Sequence, residues 1–142
     1  MGRRWLDVLS TAECQGYLAL SSLGRVAVTV NALPVILPVF YIYRDGAIWF
    51  FTEEGTKLAA ATISSVVAFE IDFCDQHGGW SVMVLGTSNE VVDMALVASV
   101  REEMSSPAAL GPLDFLVCIP AQQISGRSFS FVESSVAADG FL

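Results

Sequence analysis

The sequence is poor in positive charge, histidine and cysteine, and each shortage excludes a class of protein. Seven basic and fifteen acidic residues give its 142 residues a net charge of −8, which repels nucleic acid backbones and anionic membrane surfaces. The single histidine, His77, leaves no partner for a His-pair metal site, and a conventional Ser/His/Asp triad is not easily built around it. Three distant cysteines without a CxxC pair predict neither a disulfide framework nor a zinc site.

Long uninterrupted hydrophobic runs are also missing, although 54% of the residues are hydrophobic. A membrane-spanning helix needs about 18 residues without charges, glycine or proline, and the most apolar segment, residues 32–43, contains Pro34 and Pro38. No apolar run follows the first residues, so we expect a cytoplasmic protein without a secretory signal. The surplus apolar surface predicts a subunit interface and hence a homodimer.

The order of local patterns predicts one domain over residues 1–142, built mainly from β-strands. Strand patterns cover residues 26–30, 35–43, 47–52, 66–73, 80–92, 115–119 and 128–132. Pro38 within the second pattern predicts an edge, a bulge or a position where something other than a strand pairs. Six to seven antiparallel strands with about three short helices give an α+β, barrel-like fold, with residues 1–6 and 134–142 flexible.

Three segments of the sequence are typical of short helices. Ser10 and Glu13 have the spacing of a capping box, so a helix should run from there to about residue 22. Gly24 would close that helix, because glycine takes the left-handed cap conformation at little cost. An alanine-rich run at residues 56–61 predicts a second helix. Asp93 can cap a third, which extends to Met104.

Lys57 is the only lysine of the chain, and it lies at the predicted start of the second helix, just after a strand. A helix start presents free amides and a partial positive charge, and Gly55 lets the backbone approach an anion closely. In an acidic protein this segment is the best candidate for an anion site. An ordinary solvated lysine would show the same spacing.

Trp80 and Ser81 follow two glycines at the mouth of a predicted strand. An aromatic ring and a hydroxyl in this place could line a planar ligand. Equally, Trp80 could plug the end of the barrel while Ser81 only starts the strand.

Glu70 and Asp72 alternate within another predicted strand. Side chains two residues apart in a strand share a face, so the two carboxylates should lie side by side. One of them could be partly buried and perturbed, but the sequence assigns neither a role in proton transfer.

Short motifs recur in a characteristic order along nearly the whole chain. They are LSTAEC at 9–14, GRVAV at 24–28, PV at 38–39, FT at 51–52, GTKL at 55–58, VAFEID at 67–72, GWSV at 79–82 and ISGR at 124–127. Together they resemble the flavin-binding proteins related to pyridoxamine 5′-phosphate oxidase, of actinobacterial type. The resemblance implies a split β-barrel homodimer that holds FMN, or in some relatives a deazaflavin, at the subunit interface.

The resemblance also implies which residues bind the cofactor. Thr52, Lys57 and Ser81 match positions that contact the cofactor phosphate in such proteins, Leu58 and Trp80 flank it, and Val39, Phe40 and Phe51 belong to the same site. The family's usual chemistry is hydride or electron transfer by the flavin itself, so the protein would be an FMN- or deazaflavin-dependent oxidoreductase that binds and orients the cofactor. No catalytic residue and no metal ligand is predicted.

Several positions depart from the family pattern. Phe51 stands where members commonly carry the arginine that pairs with the phosphate, and Phe40 where asparagine is common. Ala108, Phe115 and Cys118 replace a Trp, a His and an Arg near the end. Losing a bidentate guanidinium removes charge-assisted hydrogen bonds worth roughly 1.5–3 kcal/mol. The alternative function is therefore that of a non-enzymatic relative that lost the flavin and binds an apolar ligand or a protein partner.

Overall fold

The computed structural model describes residues 3–52, 63–104 and 115–132, and these residues form nine strands and two helices. In chain order the elements are β1 (Arg3–Val8), α1 (Thr11–Leu20), β2 (Leu23–Val30), β3 (Leu33–Arg44), β4 (Ala47–Thr52), β5 (Val66–Asp75), β6 (Gly78–Thr87), β7 (Asn89–Val91), α2 (Met94–Glu103), β8 (Phe115–Pro120) and β9 (Gln123–Val132). The strands form one sheet in the order β1-β9-β6-β5-β2-β3-β4-β8-β7, and all neighbours are antiparallel. The predicted mainly β split barrel is confirmed.

The corner between β8 and β9 brings the two ends of the sheet together. β8 pairs with β4, whereas β9 pairs with β6. At the corner, the Gln122 N–H donates to the Leu85 carbonyl oxygen over 3.1 Å. Gly86 permits this approach, because a Cβ atom on it would lie 2.0 Å from the Pro120 carbonyl oxygen. The sheet therefore curls into a barrel that is split along β6 and β8.

Helix α1 packs on the inner side of the barrel against β3, β6 and β9. Its Cys14 and Leu18 are fully buried. The Tyr41 hydroxyl of β3 donates to the Leu18 carbonyl oxygen over 2.7 Å, and burial raises the pKa of Tyr41. Around α1 the core is made of large apolar side chains from alternate strand positions, including Phe50, Phe69, Ile48, Ile71 and Ile119. Helix α1 thus completes the main core.

Helix α2 covers the other face of β4 and β8 and creates a second apolar cluster. The cluster consists of Ala47, Trp49, Phe51, Val100 and Leu116. Arg44 fixes the helix in place, because its guanidinium donates to the Ser99 hydroxyl over 3.0 Å and pairs with Glu103 over 3.2 Å. Both helices have ten residues, and no helix in the described part of the chain is long and apolar enough to cross a membrane.

The capping box at the start of α1 is confirmed, but its predicted end is wrong. Glu13 N–H donates to the Ser10 hydroxyl over 3.1 Å, and Ser10 N–H donates to the Glu13 carboxylate over 2.8 Å. The helix ends at Leu20 with Ser21 as its C-cap, and Gly24 lies within β2. A Cβ atom on Gly24 would lie 2.3 Å from the Phe69 ring, so the glycine serves close packing rather than helix termination.

The structure contains more strands than the six to seven predicted. Residues 3–6, which we expected to be flexible, belong to β1 and pair with β9. The strand predicted over residues 80–92 is divided at Ser88 into the end of β6 and the short β7. The predicted helix at 56–61 and the predicted flexible segment 134–142 lie outside the described residues.

The first half of β3 forms an edge in the described part of the sheet. Residues 33–40 pair only with β2, and residues 41–44 pair with β4. The Tyr41 N–H donates to the Ser22 carbonyl oxygen over 2.9 Å, so odd-numbered residues of β3 turn their amides towards β2 and even-numbered ones turn theirs away. Pro34 and Pro38 occupy even positions, where a missing N–H costs no ladder bond. Pro38 therefore has the edge setting that was one of its predicted alternatives.

Candidate functional site

Half of the predicted cofactor site lies where β3 and β4 separate. The last paired residues of these strands are Tyr41 and Phe50. Continuing the same register sets Phe40 opposite Phe51 and Val39 opposite Thr52. The fold thus brings together four of the residues predicted for the site, which are Val39, Phe40, Phe51 and Thr52. We call this place the β3–β4 corner.

The four side chains of the β3–β4 corner have different surroundings. Val39 is buried in the main core, and Phe51 is only 4% exposed beneath α2. Phe40 is 48% exposed, and Thr52 is half-buried. Arg101 of α2 places its guanidinium carbon 4.2 Å from the centre of the Phe51 ring, a cation–π contact. Phe40 shares its face with Phe51, and Thr52 shares the opposite face with Val39. The corner therefore offers an exposed aromatic ring on one face and a half-buried hydroxyl on the other, whereas Phe51 is covered.

Trp80 and Ser81 point to opposite faces of β6, as consecutive residues of a strand must. Trp80 faces inward and stacks on Tyr17 of α1, with ring centres 4.0 Å apart and planes inclined by 19°. Ser81 faces outward, between Asp72 of β5 and Arg127 of β9. Trp80 thus packs inside the barrel, and within one chain the two residues do not line the same surface.

Ser81 is also distant from the β3–β4 corner within one chain. Strands β5 and β2 lie between β6 and β3 in the sheet. Because neighbouring strands are about 4.8 Å apart, the backbone at Ser81 is about 14 Å from β3. Lys57 and Leu58, the other two predicted site residues, lie outside the described residues.

Arg25, Glu70 and Asp72 form a charged cluster on the outer face of the sheet, which confirms the shared face predicted for the two carboxylates. The Arg25 guanidinium lies 3.1 Å from the Glu70 carboxylate and 3.4 Å from that of Asp72. Loss of solvent and the neighbouring Asp72 raise the pKa of Glu70 to about 7, while Arg25 opposes the rise. Glu70 therefore titrates near neutral pH.

This raised pKa predicts that the folded state loses stability as the pH rises from about 4.5 to about 7. The folded state binds the Glu70 proton more tightly than the unfolded state, in which the pKa of Glu70 is near 4.5. The stability that this tighter binding contributes is therefore fully present below pH 4.5 and is lost as the pH rises through about 7. Urea midpoints measured across this range should fall more steeply for the wild type than for Glu70→Gln. The exposed Glu102 provides the control variant Glu102→Gln, which should keep the wild-type slope. Equal slopes for all three proteins would contradict the prediction.

Two open clefts adjoin these residues. The first, of about 340 Å³, lies between the ends of α1 and α2 and contains Phe40, Tyr41, Tyr43 and Ser22. The second, of about 450 Å³, runs along α2 and is lined mainly by apolar side chains, among them Val91, Met94, Val97 and Leu116. We call the second one the α2 cleft. It also contains Arg101 and Phe115, and Phe115 pairs with Thr52, so the α2 cleft reaches the β3–β4 corner.

Arg101 and Arg127 are the charged residues near the site that the sequence did not reveal. The contact between Arg101 and Phe51 joins α2 to β4, and no local pattern announces it. Arg127 belongs to the ISGR motif, but only the pairing of β9 with β6 places it beside Ser81. Both depend on contacts between elements that are remote in the chain.

Comparison with known proteins places these features in a family. The sequence profile of pyridoxamine 5′-phosphate oxidase matches residues 10–128. The uncharacterised protein Rv0080 of Mycobacterium tuberculosis is 34% identical over 125 residues, which are 83% of this chain and 82% of that protein. The FAD binding protein of Mycobacterium smegmatis is 34% identical, with a TM-score of 0.74 over 87% of this chain and 98% of its own. An FAD-binding protein of Mesorhizobium loti is 26% identical, with a TM-score of 0.75 over 90% and 99%. This chain belongs to the pyridoxamine 5′-phosphate oxidase family.

Proposed function

We propose that this chain binds a flavin nucleotide at the β3–β4 corner and acts as a cytoplasmic flavin-dependent oxidoreductase. The observation that carries the proposal is the exposed Phe40 ring at the point where β3 and β4 separate and a cleft opens. The 34% identity to the FAD binding protein of M. smegmatis supports the same ligand class. FMN is our specific proposal, and FAD and a deazaflavin are the cofactors to test beside it.

The residues of the β3–β4 corner fit a flavin nucleotide. The Phe40 ring and the first cleft provide an apolar surface for a planar ring system, and the Thr52 hydroxyl can donate to a phosphate oxygen. Phe51 cannot pair with a phosphate, so in our proposal the positive charge comes from Lys57. A bound flavin supplies hydride or electron transfer, while the side chains hold it, orient it and exclude water.

A homodimer is part of the proposal because Ser81 is remote from the corner within one chain. If Ser81 contacts the same phosphate as Thr52, it has to come from a second copy. Exposed apolar side chains on the outer face of β2 and β3 support this arrangement: Leu23, which pairs with Phe40, is 50% exposed, and Ile36 further along β3 is 68% exposed. An interface that buries them would remove this apolar surface from water.

Titration of the full-length protein with FMN, FAD and a deazaflavin tests the proposal. We expect saturable quenching of flavin fluorescence with one flavin per subunit, and a dimer by light scattering. Lys57→Ala should weaken binding by about tenfold or more, since it removes a charge-assisted hydrogen bond. Gln15→Ala, an exposed change on α1, should leave the affinity unchanged. No quenching by any of the three cofactors would refute the proposed function.

The α2 cleft favours one second candidate function, the binding of an apolar ligand by a relative that has lost the flavin. Its lining is mainly apolar, and Phe115, one of the residues that depart from the family pattern, contributes to it. A silent flavin titration combined with saturable binding of an apolar fluorescent probe would support this candidate. The Val97→Trp variant, whose larger side chain should fill the cleft, should no longer bind the probe.

A further inference from the structure

Arg127 differs from Arg25, Arg44 and Arg101 in its lack of a partner among the described residues. The chain has only seven basic residues against fifteen acidic ones. Arg25 and Arg44 each pair with two carboxylates, and Arg101 stacks on Phe51. Within residues 3–52, 63–104 and 115–132, Arg127 makes no salt bridge and no side-chain hydrogen bond. An exposed guanidinium left unpaired in so acidic a protein is well placed to receive an anion from outside.

The sheet register places Ser81 directly beside Arg127. Ser81 of β6 pairs with Arg127 of β9, and both side chains lie on the outer face. The Cβ atoms of such opposite residues are about 4.5–5.5 Å apart, so a hydroxyl and a guanidinium can reach the same ligand atom. Asp72 lies on the other side of Ser81, but Arg25 holds its carboxylate at 3.4 Å and offsets its charge.

An aromatic and apolar surface adjoins this pair. Phe129 lies two residues further along β9 on the same face, and its ring covers Gly79, where a Cβ atom would be 3.0 Å from the ring. Leu6 of β1 pairs with Phe129 and is 54% exposed. The ring of Phe131, 44% exposed, lies 5.8 Å from that of Phe129. A guanidinium and a hydroxyl beside apolar rings match a ligand that joins a phosphate to a flat ring system.

We propose that Arg127 and Ser81 together bind the phosphate of the flavin nucleotide. The inference rests on the proposed function and adds Arg127 as a cofactor-binding residue. Two guanidinium N–H groups donate to two phosphate oxygens, and the Ser81 hydroxyl donates to a third. In the homodimer, one copy presents this pair to the β3–β4 corner of the other. Arg127 thereby adds a second positive charge to that of Lys57 at a phosphate that Phe51 cannot pair with.

Flavin titrations of Arg127 variants test this assignment in the full-length protein. Arg127→Gln should weaken FMN and FAD binding by about tenfold to a hundredfold, and should leave riboflavin, which has no phosphate, unchanged. Arg127→Lys should recover part of the loss, because a lysine keeps the charge but not the bidentate geometry. Ser81→Ala should weaken FMN binding, whereas Ser125→Ala, on the same face one pair further along β9, should not.

Three results would overturn the assignment. They are unchanged FMN affinity in Arg127→Gln, an equal loss of FMN and riboflavin, and a thermal midpoint far below that of the wild type. If the wild type binds none of these flavins, the proposed function fails, and the anion pair is tested alone with inorganic pyrophosphate. Selective movement of the Arg127 side-chain NMR signal during that titration would support the pair, and a stationary signal would refute it.

Discussion

Replacing Phe51 with arginine should destabilise the protein by about 3–5 kcal/mol instead of restoring a phosphate site. Phe51 is 4% exposed and packs with Val100 and Leu116 beneath α2. The Arg101 guanidinium carbon already lies 4.2 Å from the centre of its ring. A second guanidinium at this position would lose its water and face a like charge, so the packing of α2 on β4 would be disrupted.

Urea unfolding of Phe51→Arg and a matched variant would measure this effect. Phe40→Arg introduces the same side chain on the neighbouring strand at a position that is 48% exposed, so its unfolding free energy should change by about 0.5 kcal/mol or less. The loss of unfolding free energy in Phe51→Leu should fall between those two values, because leucine leaves a small cavity but introduces no charge. If Phe51→Arg unfolds at the wild-type midpoint and binds FMN more tightly, the burial of Phe51 beneath α2 is contradicted.

The second large effect is expected for Gly86→Ala. The added methyl group would lie 2.0 Å from the Pro120 carbonyl oxygen and 3.0 Å from Ile119 Cγ2. The nearer atom belongs to the backbone of the β8–β9 corner, so no side-chain rotation relieves the clash. Overpacking of this kind costs about 1–3 kcal/mol or more, because β6 and the corner have to separate.

Thermal unfolding with Gly16→Ala as the control would test this prediction. Nothing lies within 4 Å of a Cβ atom on Gly16, which is exposed in the middle of α1. Alanine there should therefore stabilise the protein by roughly 0.5–1 kcal/mol. Opposite shifts of the two thermal midpoints are expected, and a wild-type midpoint for Gly86→Ala would show that the corner is looser than the structure indicates.

The elements that the sequence predicted well are those whose causes lie within a few residues. The capping box of Ser10 and Glu13 forms, and Asp93 accepts a hydrogen bond from the Leu96 N–H over 3.0 Å at the start of α2. Asp45 and Gly46, an Asp-Gly pair of the kind that favours two-residue hairpins, both have positive φ angles, 53° and 71°, in the turn between β3 and β4. Such signals need no knowledge of the rest of the fold.

The features that were missed depend on contacts between distant parts of the chain. β1 carries charged residues and lacks a strong strand pattern, and it is ordered by its pairing with β9. In the sequence Gly24 has the position of a helix terminator, and its actual role, which is close packing against Phe69, appears only in the folded structure. Among the missed features, one could have been predicted from the sequence: Trp80 and Ser81 point to opposite faces, because consecutive residues of a strand alternate in direction.

The candidate site was predictable in its parts but not in its assembly. Motif resemblance selected Val39, Phe40, Phe51 and Thr52, and the register of β3 and β4 brings them to one corner. The burial of Phe51 depends on α2, which follows it by more than forty residues. The partnership of Ser81 with Arg127 likewise appears only when β6 and β9 are paired.

The two prolines of β3 also limit how copies of this chain can associate. Strand addition and fibril growth both require a continuous row of amide donors along an open strand. On the side of β3 that faces away from β2, Pro34 and Pro38 interrupt that row, leaving the amides of Ile36 and Phe40 as isolated donors. Two copies that meet across this strand must therefore hold together through side chains, which favours a partner of defined shape over open-ended stacking.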